Sequence, residues 1–316
     1  MLFVTLAAVL ASSCVAGAAS APATRQIPPA PRASLHGLIA YSTRGGDIWV
    51  MRANGSGRQR LTRSGRGIDF DPSLSPDGKH VIFRSSRGRY APDRYGIGLE
   101  AIRVVDVRTR RQRQIQPWTG GLFPAWSPDG KAIAFSGLRT GGGPVDTIQL
   151  MLPDGTGLVD LGMPGEVATW SPDGTRIAFA SHPGDGNWAV WSMRRDGSER
   201  RQLTHPVLRP PAGAHGDAPA AWSPDGSRIL YSTEVRGDRE LFVMNANGSG
   251  KRRVTRWRGG DSPQVWLPDG RIVFGHYRGA EPLPHWYLIR PDGSGLRSLP
   301  HLYGAGDPID WLVPRR

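Results

Sequence analysis

Trp126-Ser127-Pro128-Asp129-Gly130-Lys131-Ala132-Ile133-Ala134-Phe135 is the stretch whose reading decides the fold. Proline fixes φ and glycine admits positive φ, so Pro-Asp-Gly is a tight turn, and the apolar run behind it reads as a strand. The unit recurs at Ser75-Pro76-Asp77-Gly78, Ser171-Pro172-Asp173-Gly174, Ser223-Pro224-Asp225-Gly226 and, degenerate, Leu267-Pro268-Asp269-Gly270. The aspartates are 52, 44, 52 and 44 residues apart. Trp126, Trp170, Trp222 and Trp266 precede four of the turns, and Trp311 follows 45 residues after the last of them.

Each turn leads into a β-type run: His80-Val81-Ile82-Phe83, Arg176-Ile177-Ala178-Phe179, Arg228-Ile229-Leu230-Tyr231, Arg271-Ile272-Val273-Phe274. Leu38-Ile39-Ala40-Tyr41 is a further copy without the turn. A third strand follows, as in Ile48-Trp49-Val50-Met51, and then a hairpin turn such as Asn54-Gly55, Asp154-Gly155, Asp196-Gly197, Asn247-Gly248 or Asp292-Gly293. Arg108-Thr109-Arg110-Arg111 stands at that place in the second copy. Four antiparallel strands per unit of about 45 residues define a propeller blade. The expectation is all-β: a six-bladed β-propeller, four antiparallel strands per blade. The first copy lacks an inner strand and the last residues supply a spare one, which predicts closure by the C-terminal strand joining the N-terminal blade.

The pattern x-Pro-x-Trp-Ser-Pro-Asp-Gly-(Lys/Arg)-x-Ile-Ala-Phe over residues 35–316 resembles the WD40-like repeats of the TolB-type six-bladed β-propeller family. TolB carries an α/β domain ahead of its propeller, whereas here a short linker stands in that place. The resemblance therefore implies the fold.

Composition agrees with this architecture. Gly 42 and Pro 28 among 316 residues suit many short strands and turns. The single Cys14 excludes a disulfide framework and a cysteine-based zinc site. Residues 1–18 read as a signal peptide: Leu2 to Val15 is apolar and Ala16-Gly17-Ala18 suits cleavage. Leu10-Ala11-Ser12-Ser13-Cys14 also resembles a lipobox, which would place a lipid on Cys14. Residues 19–34 form a Pro/Ala-rich spacer and residues 35–316 the propeller. The expected location is exported: periplasmic, envelope or extracellular, with no transmembrane segment and a monomeric state.

If the inner strand starts at the top, both families of turn fall at the bottom, and the longer loops share the top face. Arg87, Arg89, Tyr90, Arg94 and Tyr95 in one such loop offer guanidinium and aromatic groups to a planar or anionic partner. Asp69, Asp71, Glu166, Asp217, Asp261 and Asp307 lie just ahead of inner strands, with His215 nearby, and converge on the channel mouth as a candidate ligand site. Such a ring suits a weakly bound Ca²⁺ or a cationic ligand. Turn capping by each aspartate is the other reading. No motif demands a cofactor.

The net charge of +13 comes from 40 Lys+Arg against 27 Asp+Glu. Eighteen basic residues, among them Arg58, Arg60, Arg63 and Arg110, lie on or beside the outer hairpins. They suit an anionic envelope polymer or serve to keep sheet edges apart. Nucleic acid is not expected, since no binding motif for it is present. No nucleophile elbow or H-E-x-x-H occurs. The sequence reading is thus a non-catalytic binding module for an envelope protein or extracellular polymer. The competing class is a polysaccharide lyase or glycoside hydrolase built from top-face carboxylates and His182, His215, His276 and His285.

Overall fold

The computed structural model of the chain describes residues 27–32, 35–65, 67–86, 100–116, 121–138, 146–182, 188–205, 216–279, 281–306 and 309–313. Strands β1 (Leu38–Ser42), β2 (Ile48–Arg52) and β3 (Gln59–Arg60) open the fold. The next four are β4 (Asp69–Leu74), β5 (His80–Ser85), β6 (Ala101–Asp106) and β7 (Gln112–Gln114). They are followed by β8 (Gly121–Trp126), β9 (Ile133–Leu138), β10 (Asp146–Met151) and β11 (Val159–Pro164). Then come β12 (Glu166–Trp170), β13 (Arg176–Ser181), β14 (Ala189–Arg194) and β15 (Arg201–Gln202). The chain continues through β16 (Ala218–Trp222), β17 (Arg228–Val235), β18 (Asp238–Asn245) and β19 (Arg252–Arg253). It ends with β20 (Gly260–Trp266), β21 (Ile272–Tyr277), β22 (His285–Ile289), β23 (Arg297–Ser298) and β24 (Ile309–Leu312).

The architecture corrects the expectation of a six-bladed propeller closed by the C-terminal strand joining the N-terminal blade. Four sheets are discrete and four-stranded, while β16 to β23 form one eight-stranded sheet. Among the described residues no sheet closes on itself through hydrogen bonds. β24 pairs antiparallel with β1, but this completes only that sheet, in the order β24-β1-β2-β3. The fusion has a local cause. β17 and β18 are joined by Arg236-Gly237 alone, both at positive φ, so each strand runs eight residues. The extended β18 reaches the next inner strand, where Arg239 pairs in parallel with Gly260. Asp238 Oδ1 accepts the Gly259 amide at 2.8 Å there.

Between neighbouring sheets the core is apolar. Phe83, Phe135, Phe179, Tyr231 and Phe274 occupy one repeat position and are 0–3% exposed. Burial of each is worth about 2–3 kcal/mol. Ala132, Ala134 and Ile148 pack on Ala168, Trp170, Ile177 and Phe179 of the next sheet. Tyr41 and Met51 of the first sheet likewise meet Val273, Trp286 and Leu288 of the last.

Inner strands β4, β8, β12, β16, β20 and β24 surround a central cavity of about 1560 Å³. Side chains stitch these strands together across sheet boundaries. Asp310 Oδ2 accepts the Leu74 amide at 2.7 Å, and Gln264 Oε1 accepts the Ile309 amide at 2.8 Å. The indoles of Trp170 and Trp222 donate to the carbonyls of Ala125 and Thr169, each at 3.2 Å.

Candidate functional site

The inner strands bulge where they enter the cavity. Asp71, Phe123 and Val167, in adjacent strands, all have φ near +50°, a costly conformation for non-glycine residues and most of all for β-branched valine. Strain of this kind clusters at sites where the surrounding fold over-determines a side chain's direction. Here it sets the chain at one side of the cavity mouth.

A single guanidinium organises that side. Arg84 Nε lies 3.0 Å from Asp71 Oδ2, and its Nη1 lies 3.1 Å from Glu100 Oε2. The group stacks 3.6 Å over the Phe70 ring and 5.3 Å from the Phe123 centroid. Asp146 and Glu166, which begin β10 and β12, stand within electrostatic reach of this group. Burial pushes Glu166 up, Asp146 adds to the rise and Arg84 opposes it. Burial likewise raises Glu100, with Arg84 opposing, and burial raises Asp146. Burial is the first cause in all three, so Glu100, Asp146 and Glu166 hold protons further toward neutrality than free carboxylic acids do.

Across the mouth, Asp217 is also pushed up by burial, against the Thr204 and Thr233 hydroxyls and the Arg239 charge. Arg239 donates to Ser232 Oγ at 2.9 Å and to the Gly216 carbonyl at 3.2 Å. Trp188 adds an aromatic wall to the cavity.

The structure divides the candidate residues chosen from sequence. Asp71, Glu166 and Asp217 line the cavity. Asp69 is fully buried and accepts the Ser85 hydroxyl at 2.7 Å. Asp261 is buried with its Oδ1 2.7 Å from His276 Nδ1. Neither Asp69 nor Asp261 lines the cavity. His215, Asp307, Arg87, Arg89, Tyr90, Arg94 and Tyr95 lie outside the described residues, as does Cys14. His182 packs edge-on to Trp188 at 4.3 Å, and His285 Nε2 contacts Glu281 Oε2 at 2.7 Å. Among the described residues no group of three or more His, Cys, Asp or Glu could hold a metal ion.

Sequence reasoning missed Arg84, Glu100 and Asp146. Arg84 carried a readable signal, because Ser42, Ser136, Ala180, Ser232 and Gly275 occupy its repeat position. Glu100 and Asp146 differ by one position from two structural acids, Asp47 and Glu240. Those two meet fourth-strand arginines, Asp47 with Arg60 at 2.5 Å and Glu240 with Arg253. Side chains alternate faces along a strand, so the one-residue offset turns Glu100 and Asp146 away from the outer strand.

The chain matches no family model. It is 26% identical over 225 residues to an uncharacterized protein of Agrobacterium fabrum, covering 66% of this chain and 71% of that one. An 82-residue stretch is 30% identical to a dipeptidyl-peptidase 5 of Porphyromonas endodontalis, covering 26% of this chain but only 11% of the peptidase. Among solved structures, TolB from Acinetobacter baumannii superposes with a TM-score of 0.66 at 18% identity, covering 88% of this chain and 67% of TolB. An oligogalacturonate lyase in complex with manganese gives a TM-score of 0.56 at 18% identity, covering 80% and 73%. The class is therefore a β-propeller, and its fold is TolB-like.

Proposed function

We propose that this propeller acts on a polysaccharide at the cavity mouth, by acid–base cleavage of a glycosidic bond. The observation that carries the reading is the Arg84 cluster, where Glu166, its pKa raised by burial, lines the cavity beside Asp71 and the Phe123 ring. In hydrolysis a carboxylic acid with a raised pKa protonates the leaving oxygen, while water attacks the anomeric carbon and passes its proton to an ionised carboxylate. Glu166 is the general acid in this scheme, and Asp71, paired with Arg84, the ionised partner. Phe123 and Trp188 offer faces for sugar rings. The likeness to oligogalacturonate lyase bears on the fold alone. The apolar Leu2–Val15 run supports placing this activity outside the cytoplasm.

The test is release of reducing ends from a panel of neutral and acidic polysaccharides. Glu166→Gln should lower turnover by about 100-fold or more and leave polysaccharide binding intact. Turnover should fall as pH rises through the raised pKa of Glu166, because the acid must be protonated. Unchanged turnover in Glu166→Gln would refute the assignment. Binding without any cleavage would instead support a binding module, which the open cavity also favours.

A further inference from the structure

On the outer edge, away from the cavity mouth, a second groove of about 630 Å³ lies between the hairpin that carries β3 and the one that carries β7. Arg58, Arg60, Arg63 and Arg110 line it, and among the described residues its lining includes no Asp or Glu. The floor is built. Gln59 Nε2 donates to the Val107 carbonyl at 3.1 Å, and Gln112 Nε2 donates back to the Leu61 carbonyl at 3.4 Å. These reciprocal bonds latch two sheets that share no hydrogen-bonded ladder, so the walls are held at a fixed spacing.

Two of the arginines are pre-positioned. Arg58 Nη2 donates to the His301 carbonyl at 2.5 Å, a neutral acceptor that leaves its charge uncompensated. Arg60 is oriented by Asp47 and by the Thr62 carbonyl. Arg63 and Arg110 are exposed and have no acidic partner among the described residues. Arg110 is also conformationally strained, at φ +60°. In strand register its counterparts in the other hairpins are Ser56, Thr156, Ser198, Ser249 and Ser294, none of which has positive φ. Arg110 alone takes this unfavourable backbone at that position among the described residues, and its side chain lines the groove.

We propose that this groove is an anion site that takes a phosphoryl group, free or at the end of a larger molecule. Beside an Arg60 already paired with Asp47, the guanidinium groups of Arg58, Arg63 and Arg110 along one groove match a tetrahedral, multiply charged oxoanion better than a lone carboxylate, which can engage only one fork bidentately. A strained residue that presents charge to such a groove is explained by the ligand it meets. The site is separate from the Arg84 cluster and does not depend on the function proposed for it.

Calorimetric titration with inorganic pyrophosphate at low ionic strength tests the proposal on the intact chain. Arg63→Gln/Arg110→Gln should weaken binding by about tenfold or more. Arg201→Gln/Arg256→Gln, which removes two exposed arginines beside other hairpins, should leave it unchanged. Arg110→Gly should weaken binding while melting no lower than the wild type, because glycine accepts this φ freely. Loss of binding in that variant is then not loss of folding. Absence of binding to the wild type, equal weakening by the control pair, or equal affinity for succinate would each overturn the proposal. Comparing pyrophosphate with a phosphorylated disaccharide tells a free phosphate from a polymer end, since only the latter gains from contacts beyond the phosphoryl group.

Discussion

At the residue scale, the recurring aspartates are small hydrogen-bonded machines. Asp225 Oδ1 accepts the Ser223 hydroxyl at 2.5 Å and the Ser227 amide at 3.1 Å. Those bonds, with one from the Ser227 hydroxyl, hold its carboxyl down to about 2. Its stabilising contribution is present above the ordinary aspartate pKa and is lost as pH falls toward 2. Asp310 runs the other way. Burial pushes it up to about 6 from 3.8, against the amides of Leu74 and Trp311. The folded chain therefore binds more protons than the unfolded one between those values, and stability declines as pH rises through that window. The full cost above it is about 3 kcal/mol. Asp310→Asn keeps an oxygen for the Leu74 amide and removes the charge. In urea melts it should match the wild type near pH 4 and exceed it by roughly 1–3 kcal/mol at neutral pH. A difference that does not vary with pH would refute the account. The serine–aspartate turns were legible because their chemistry is local. The Arg84 cluster was not, because Arg84 and Glu100 come from one sheet and Asp146 and Glu166 from two others, and they meet only through the geometry of the ring.

At the element scale, the hairpins were easy to read and the connection between sheets was not. Asx-Gly turns announce themselves, and Thr109 shows how the second copy manages without one: its amide and hydroxyl both donate to Asp106 Oδ1, at 2.6 and 2.8 Å. Arg236-Gly237 gave a weaker signal, yet it has the larger consequence. Positive φ at both central residues is the signature of a type I′ turn, and this tight turn lets β18 pair with β20. Type I′ turns favour Asn-Gly, so Arg236→Asn should stabilise the chain by about 0.5–1 kcal/mol. Hydrogen exchange at Arg239, whose amide donates to the Gly259 carbonyl at 3.1 Å, should slow in parallel. Faster exchange there would show that the turn does not hold the two halves of the sheet together. The segment ahead of β1 adds a related feature. Pro29 bridges Ser298 in parallel, and Ala30 donates to the Ser298 carbonyl at 2.9 Å, which covers the edge of β23.

At the scale of the whole molecule, the first sheet depends on how the C-terminal strand seats against the residues before β1. Trp311 is 4% exposed, and its indole donates to the His36 carbonyl at 2.9 Å. Next in sequence, Gly37 has φ +111°, and a Cβ built there would lie 2.2 Å from the Leu312 carbonyl oxygen and 3.1 Å from Trp311 Nε1. A backbone oxygen cannot swing aside as a side chain can, so Gly37→Ala must move β24 itself. Displacing β24 also withdraws Asp310 from the Leu74 amide and Ile309 from Gln264, the two stitches that tie this strand to its neighbours. Gly237→Ala is the matched control: it also has positive φ, +87°, but a Cβ there meets nothing within 4 Å. It should cost about 1 kcal/mol, the conformational penalty alone. Gly37→Ala should cost about 3 kcal/mol or more, since strain, a lost hydrogen bond and a partly exposed tryptophan add together. Its tryptophan fluorescence should shift to the red, and amides of residues 309–312 should exchange faster than those of β10 and β14. Equal losses in the two variants would mean that the C-terminal strand does not govern the first sheet, and that the apolar packing between Tyr41, Met51 and Trp286 holds it instead.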